Sequence, residues 1–213
     1  MNDSLFNYET DSLVSYLDRC KKLGQKGLVV WFTGLSGAGK TTIAHAVEKR
    51  LFDQGRFVFN LDGDRLRMGL NANLSFSYED RKENIRRVAE VAKLFHQAGM
   101  IILASFISPQ REMREFARSI LPSDAFIEVY VKASLATCIE RDPKGYYKKS
   151  MSGEIKDYTG ISQVYEEPLS PDLLLDTEIL SLEECISRVQ HMIDIFQQNE
   201  GEAKSPDEPA RYT

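Results

Sequence analysis

LVVWFTGLSGAGKTT (28–42) is the stretch on which the fold turns. Its first six residues, Leu28 to Thr33, form a short run rich in β-formers. Gly34-Leu35-Ser36-Gly37-Ala38-Gly39-Lys40-Thr41 follows at once and completes G-x-x-x-x-G-K-[ST], with a helix-period segment behind it. The glycines let successive backbone N–H groups turn inward onto phosphate oxygens, and the N-terminus of a helix starting near Lys40 adds partial positive charge. In that arrangement Lys40 neutralises β- and γ-phosphates and Thr41, followed by Thr42, offers a hydroxyl to Mg²⁺. The motif alone does not separate kinases from ATPases or GTPases. No N-K-x-D run is present, and D-x-x-G occurs only late in the chain, as at Asp157 to Gly160, which disfavours a GTPase switch.

Outward from this stretch the pattern repeats: a β-rich run, a turn, then a helical period. Further runs are RFVFNL (56–61), MIILASF (100–106), AFIEVYV (125–131) and DLLLD (172–176). The alternation predicts an α/β, three-layer fold of the P-loop NTPase type, a parallel five-stranded sheet flanked by helices. A long helix is expected after Ser77, with Glu79 and Asp80 in its first turn, a stripe of Ile85, Val88, Ala89, Ala92 and Phe95, and Gly99 as its stop. Another begins at Ser181, with Glu184 at capping-box spacing. Residues 142–171 carry Lys144, Lys148, Lys149 and Lys156 without a clear period, and a connection of that length reads as a functional lid. Residues 1–27 read as a polar extension with a weak helical stripe (Leu13, Tyr16, Leu17, Cys20, Leu23), residues 28–198 as the domain, and residues 199–213 as a disordered tail.

At 213 residues, 42% hydrophobic and 28% charged, the chain has the composition of one globular domain. Its net charge of −5 argues against a nucleic-acid partner bound by general phosphate neutralisation. MNDSLFNYETDS (1–12) has no basic segment followed by an apolar run, and no stretch is long enough to span a bilayer, so the expectation is a cytoplasmic protein with no membrane partner. Cys20, Cys138 and Cys185 are odd in number and far apart, which fits neither a disulfide framework nor zinc spacing. His45, His96 and His191 are scattered singly and are assigned no chemistry.

The second site is read from the carboxyl ends of the strands, where ligands of open α/β sheets bind. Asp62-Gly63-Asp64-Arg65-Leu66-Arg67 follows the second run. Asp62 is placed to hold Mg²⁺ or to accept a hydroxyl proton, Asp64 and Arg67 to contact an acceptor, although D-G is also a common turn. Arg81 and Asn84 lie one turn apart on the same face of the long helix, and Phe76 before them offers a ring for stacking. The third run ends in Phe106-Ile107-Ser108-Pro109. Ser before Pro at a helix start reads as an N-cap and N1 pair; the alternative is that Ser108 contacts the acceptor or transiently carries a phosphoryl group.

Together GLSGAGKTT, LDGDRLRMGLN, FSYEDRKENIRRVAEVAKLF, SFISPQREMR, RDPKGYYKK and GEIKDYTGI closely resemble the APS kinase (adenylyl-sulfate kinase) family, with matches from about residue 28 to residue 176. The resemblance implies transfer of the ATP γ-phosphate to the 3′-hydroxyl of adenosine 5′-phosphosulfate (APS), giving 3′-phosphoadenosine 5′-phosphosulfate (PAPS) and ADP in sulfate assimilation. It implies ATP at residues 34–42 and Arg141, and APS at Asp64, Arg67, Phe76, Arg81, Asn84, Ile107, Ser108, Lys144, Asp157 and Tyr158. Lys40, Asp62 and Ser108 are the candidate catalytic set. A phosphoserine at Ser108 and a homodimer are also implied. Arg65, Tyr158 and Ala38 depart from residues common in the family, and none removes a charge or ring that the chemistry needs; Leu180 replaces a cysteine found near the adenine pocket of some relatives. No histidine adjoins Ser108 in sequence, so direct in-line transfer is the expected route. From the residues alone, a kinase for another small acceptor and a nucleotide-binding regulator without turnover remain the alternatives.

Overall fold

The computed structural model describes residues 14–155 and 157–198; Leu13, Lys156, the segment 1–13 and the tail 199–213 lie outside the described residues. Helix α1 (Tyr16–Leu23) opens on a capping box between Ser15 and Asp18 and closes on Gly24 in the left-handed region. The elements then alternate as β1 (Leu28–Thr33), α2 (Lys40–Asp53), β2 (Val58–Asp62), α3 (Gly63–Arg67), α4 (Tyr78–Gln97), β3 (Ile101–Ser105) and α5 (Arg111–Ser119). β4 (Phe126–Lys132), α6 (Leu135–Arg141), α7 (Tyr146–Met151), β5 (Leu173–Asp176) and α8 (Leu182–Gln198) complete the order.

The strands form one sheet in the order β2-β3-β1-β4-β5, and every pairing is parallel. β1 is central. All six of its residues are buried, because helices cover both faces of a sheet whose strands run parallel. Leu28, Val30 and Phe32 pack with Ile43, Val47 and Leu51 of α2 and with Ile186, Val189 and Ile193 of α8. Val29 and Trp31 point the other way, to Ile85, Val88 and Ala92 of α4 and to Met113 and Ala117 of α5. Alternation within one strand thus builds two apolar layers, each large side chain contributing about 1.5–3 kcal/mol on burial.

The five strands and the two capped helices match the sequence reading, with ends shifted by one or two residues. Ser77 accepts from the Asp80 N–H at the start of α4, and Ser181 and Glu184 form the reciprocal box before α8. α4 ends at Gln97 with Gly99 just beyond it at φ 83°. The segment read as an aperiodic lid contains the helix α7, whose first N–H groups, of Tyr147 and Lys148, donate to the Asp142 carboxylate. The strand order reverses about β1, so its carboxyl end opens at the switch point, where such sheets bind ligands.

Candidate active site

The turn from β1 into α2 is held open by its glycines. Gly34 has φ 145°, and a Cβ there would lie 2.2 Å from the Val131 carbonyl oxygen of the neighbouring strand. The loop's carbonyls are held by side chains. Lys40 Nζ donates to the Gly34 and Leu35 oxygens at 2.8 and 2.7 Å, and Tyr147 Oη to Ser36 at 3.0 Å. An Arg141 guanidinium nitrogen reaches Gly37 O at 3.5 Å, and Thr177 Oγ1 donates to Ala38 O at 3.0 Å. In a trans peptide the N–H is opposed to the C=O, so each fixed carbonyl also fixes the direction of an amide donor. That arrangement is the backbone cradle of an anion site.

Lys40 is only 8% exposed, and burial pushes its ammonium down to about 8; the Lys144 charge lowers it further, whereas Asp62 and Asp64 oppose the shift. Beside it Thr41 Oγ1 donates to Asp62 Oδ2 at 2.9 Å, while Asp62 Oδ1 accepts from the Asp64 and Arg65 N–H groups at the start of α3. No cluster of three or more His, Cys, Asp or Glu side chains gathers as a metal cage among the described residues. The Thr41–Asp62 pair is nevertheless a hard-oxygen donor set. It fits Mg²⁺, which takes one or two protein oxygens and completes its shell with phosphates and water.

Across from the loop, α3 and the start of α4 bring the predicted acceptor residues together. Arg81 and Asn84 are buried on the same face of α4, at 6% and 5% exposure. The Arg67 guanidinium lies 4.3 Å from the centroid of the half-exposed Phe76 ring and that of Arg81 5.6 Å. Burial lowers Arg81, and the neighbouring Arg67 charge lowers it further, so two cations oppose each other at one place. Asn84 Oδ1 accepts from Asn71 Nδ2 at 2.9 Å, an interaction within the core that the sequence reading did not foresee.

The lid meets both sides. Lys144 pairs with Asp64, and Arg141 donates to Thr177 at 3.0 Å through both its hydroxyl and its carbonyl. Asp157, at φ 58°, gives its carbonyl oxygen to Arg81 at 2.7 Å, and Tyr158 sits edge-on to Tyr147 at 5.1 Å. Thr42 stands exposed on α2, one residue beyond the loop. Thr177, Tyr147 and Asn71 were missed as candidates. Thr177 had a usable signal, since it directly follows the carboxyl end of the fifth strand.

One expectation is corrected. Ser108 does not cap α5: the N-cap is Gln110, and Ser108 takes the left-handed conformation, φ 38°. The side chain is spent elsewhere. Its Oγ accepts from Trp31 Nε1 and donates to Thr33 Oγ1, both at 3.1 Å, and the residue is 2% exposed. Ile107, partly exposed beside it, gives its carbonyl oxygen to Thr33 Oγ1 at 2.8 Å. Among the described residues no basic group is hydrogen-bonded to the serine hydroxyl.

A phosphate cradle at the switch point of a parallel sheet, facing a cationic and aromatic second site under a lid, defines a P-loop kinase of a small acceptor. More narrowly, the chain belongs to the adenylylsulphate kinase family, whose model matches residues 26–176. An adenylyl-sulfate kinase of Staphylococcus carnosus is 55% identical over 179 residues, 84% of this chain and 90% of the relative. The Mycobacterium tuberculosis APS kinase in complex with AMPPNP and APS aligns over 80% of this chain and 99% of its own, at 44% identity and a TM-score of 0.76. A hexameric APS kinase from Thiobacillus denitrificans, 31% identical with a TM-score of 0.60, shares 80% of this chain but only 29% of its own.

Proposed function

We propose that this enzyme transfers the γ-phosphate of ATP to the 3′-hydroxyl of APS, yielding PAPS and ADP for sulfate assimilation. The observation that carries the reading is the opposed pair of sites: the cradle of residues 34–41 on one side of Asp62, and Arg67, Phe76, Arg81 and Asn84 on the other. An adenosine phosphosulfate asks for a stacking ring, polar edges and cations, and these side chains supply those types. Two guanidiniums that oppose each other gain most from a doubly charged anion between them.

In the reaction the acceptor's 3′-oxygen, its hydroxyl oriented by Asp62, forms a bond to the γ-phosphorus, the bond to the β–γ bridging oxygen breaks, and the hydroxyl proton leaves to the oxygens of the transferred phosphoryl group. Lys40 and the loop amides orient the triphosphate and balance its charge. Thr41 and Asp62 are the side chains that would hold Mg²⁺, which when bound offsets charge on the β- and γ-oxygens. Lys144, Asp157 and Tyr158 close over the acceptor and Arg141 over the ATP side, which excludes the water that would otherwise hydrolyse ATP. Ser108 acts by contact and by shaping the loop, and transfer is direct, because its buried hydroxyl meets no base among the described residues. The enzyme is read as a cytoplasmic homodimer. No helix among the described residues is long and apolar enough to cross a membrane.

Release of ADP measured with APS, with AMP and with no acceptor tests the assignment. APS supports turnover about 10–100-fold faster than AMP, the value of a charged hydrogen bond lost with the sulfate. Equal rates with AMP and APS would instead point to a nucleoside monophosphate as acceptor.

A further inference from the structure

Arg114 is an interior residue of α5, 3% exposed, and no part of the phosphate-transfer account uses it. Each of its three guanidinium nitrogens donates a hydrogen bond. Nε donates to Glu128 Oε1 of β4 at 2.8 Å, one terminal nitrogen to the Ser108 carbonyl at 2.6 Å, and the other to the Glu166 carbonyl at 2.7 Å. Two of these three acceptors are backbone oxygens outside regular structure. One belongs to the residue held at φ 38°, a conformation that a non-glycine residue keeps only when its surroundings enforce it.

Neighbouring bonds tie the same two segments. Glu166 N–H donates to the Pro109 carbonyl at 2.8 Å, and the Arg111 N–H to the Glu166 carboxylate at 2.9 Å. Thr33 Oγ1 donates to the Ile107 carbonyl, accepts from Ser108 Oγ and lies 2.9 Å from Tyr165 Oη. Besides the Lys144–Asp64 pair, the lid is therefore fastened on the acceptor side at Asp157 through Arg81, and at Tyr165 and Glu166 through Thr33 and Arg114. An ion pair buried only to fill the core is replaceable by apolar side chains of similar volume. A planar fork with three separate acceptors in fixed directions is not.

We infer that Arg114 is a positioning residue of the acceptor site, a buried clamp that sets Ile107 and Ser108 against the outgoing end of the lid. The inference rests on the acceptor reading given above. Arg114 touches neither substrate; it acts through the two backbone segments that it holds.

The test is Arg114→Lys, which keeps a cation for Glu128 but cannot satisfy both carbonyls, together with Tyr165→Phe, which deletes only the hydroxyl at Thr33. Steady-state turnover is measured with ATP and APS varied separately, and amide hydrogen exchange is followed in the unliganded proteins. In Arg114→Lys the KM for APS rises about tenfold, the value of one net hydrogen bond, and the KM for ATP stays within about twofold. In Tyr165→Phe the KM for APS rises about threefold. Exchange quickens at residues 107–110 and 164–167 and is unchanged at 34–39. The clamp is overturned if the two KM values rise in parallel, or if a folded Arg114→Lys shows neither a KM change nor faster exchange. Should Arg114→Lys fail to fold, Tyr165→Phe decides by the same criteria. Hydrogen exchange does not depend on which acceptor is used. Failure of the APS reading would therefore show in the turnover of the unaltered protein, while exchange still reports on Arg114.

Discussion

Lys40 shows how burial and function oppose each other at one atom. Its ammonium, pushed down to about 8 by desolvation, carries its charge at pH 7 and loses it in the range where an exposed lysine would keep it. Triphosphate binding favours the charged form. Calorimetric titration with ATP and Mg²⁺ should therefore give a constant affinity below about pH 7.5 and a fall approaching tenfold per pH unit above about pH 8. Lys40→Met binds weakly at every pH and without that slope; a wild-type affinity that stays flat to pH 9.5 would contradict the assignment. Ser108 carries the second residue-scale prediction. Because its hydroxyl is engaged by Trp31 and Thr33, Ser108→Ala should retain turnover within about tenfold of the parent and raise the KM for APS. Complete loss of turnover in a variant that binds both ligands would establish a phosphoserine route instead. From the residues alone Ser108 read as a helix cap or as an acceptor contact, and local propensity pointed to the cap. The tertiary network decided otherwise: Arg114, Trp31 and Thr33, each distant in sequence, hold it in a conformation that propensity disfavours.

Elements were far more legible than the contacts between them. Periodicity of 2 and 3.6 and the caps at Ser77 and Ser181 are local properties, and they sufficed for five strands and for α2, α4 and α8. α7 was not legible, because its six residues are too few to show a period, its N-cap, Gly145, has no side chain, and the carboxylate that takes its N–H groups, Asp142, sits four residues before it. Two junctions carry predictions. At the β1–α2 turn, Gly34→Ala would drive a Cβ against the Val131 carbonyl of β4 while keeping φ 145°, so the thermal transition should show a loss of roughly 2–4 kcal/mol. At the contact of α1 with α4, His96 is 2% exposed, stacks 5.2 Å from the Tyr16 ring, and is pushed down to about 4 by burial. The native histidine is thus neutral where the unfolded one, with its ordinary value near 6.5, takes up a proton. Its contribution to stability is complete above pH 6.5 and is lost as the pH falls towards 4, about 3 kcal/mol in all. Urea unfolding at pH 7, 5.5 and 4 should show this slope, and His96→Phe should flatten it.

At the scale of the molecule, one strand order explains why residues so far apart in sequence converge. Crossovers that place β1 between β3 and β4 bring the ends of β1, β2 and β3 and the start of α4 to one edge, with the lid returning over them from beyond β4. The sequence could announce that edge, since each candidate directly follows a strand or opens a helix. It could not announce which of them bind one another, and Asn71, Tyr147 and Arg114 came to light only through bonds that close in three dimensions. The central claim is that the two sites joined at Asp62 pass a phosphoryl group from ATP to the 3′-hydroxyl of APS. Incubation with ATP labelled in its γ-phosphate, followed by 3′-nucleotidase treatment of the product, tests that claim most directly. The account predicts label in an adenosine phosphosulfate, released completely by the 3′-nucleotidase; label appearing only as inorganic phosphate, or in a product that the nucleotidase leaves untouched, would contradict it.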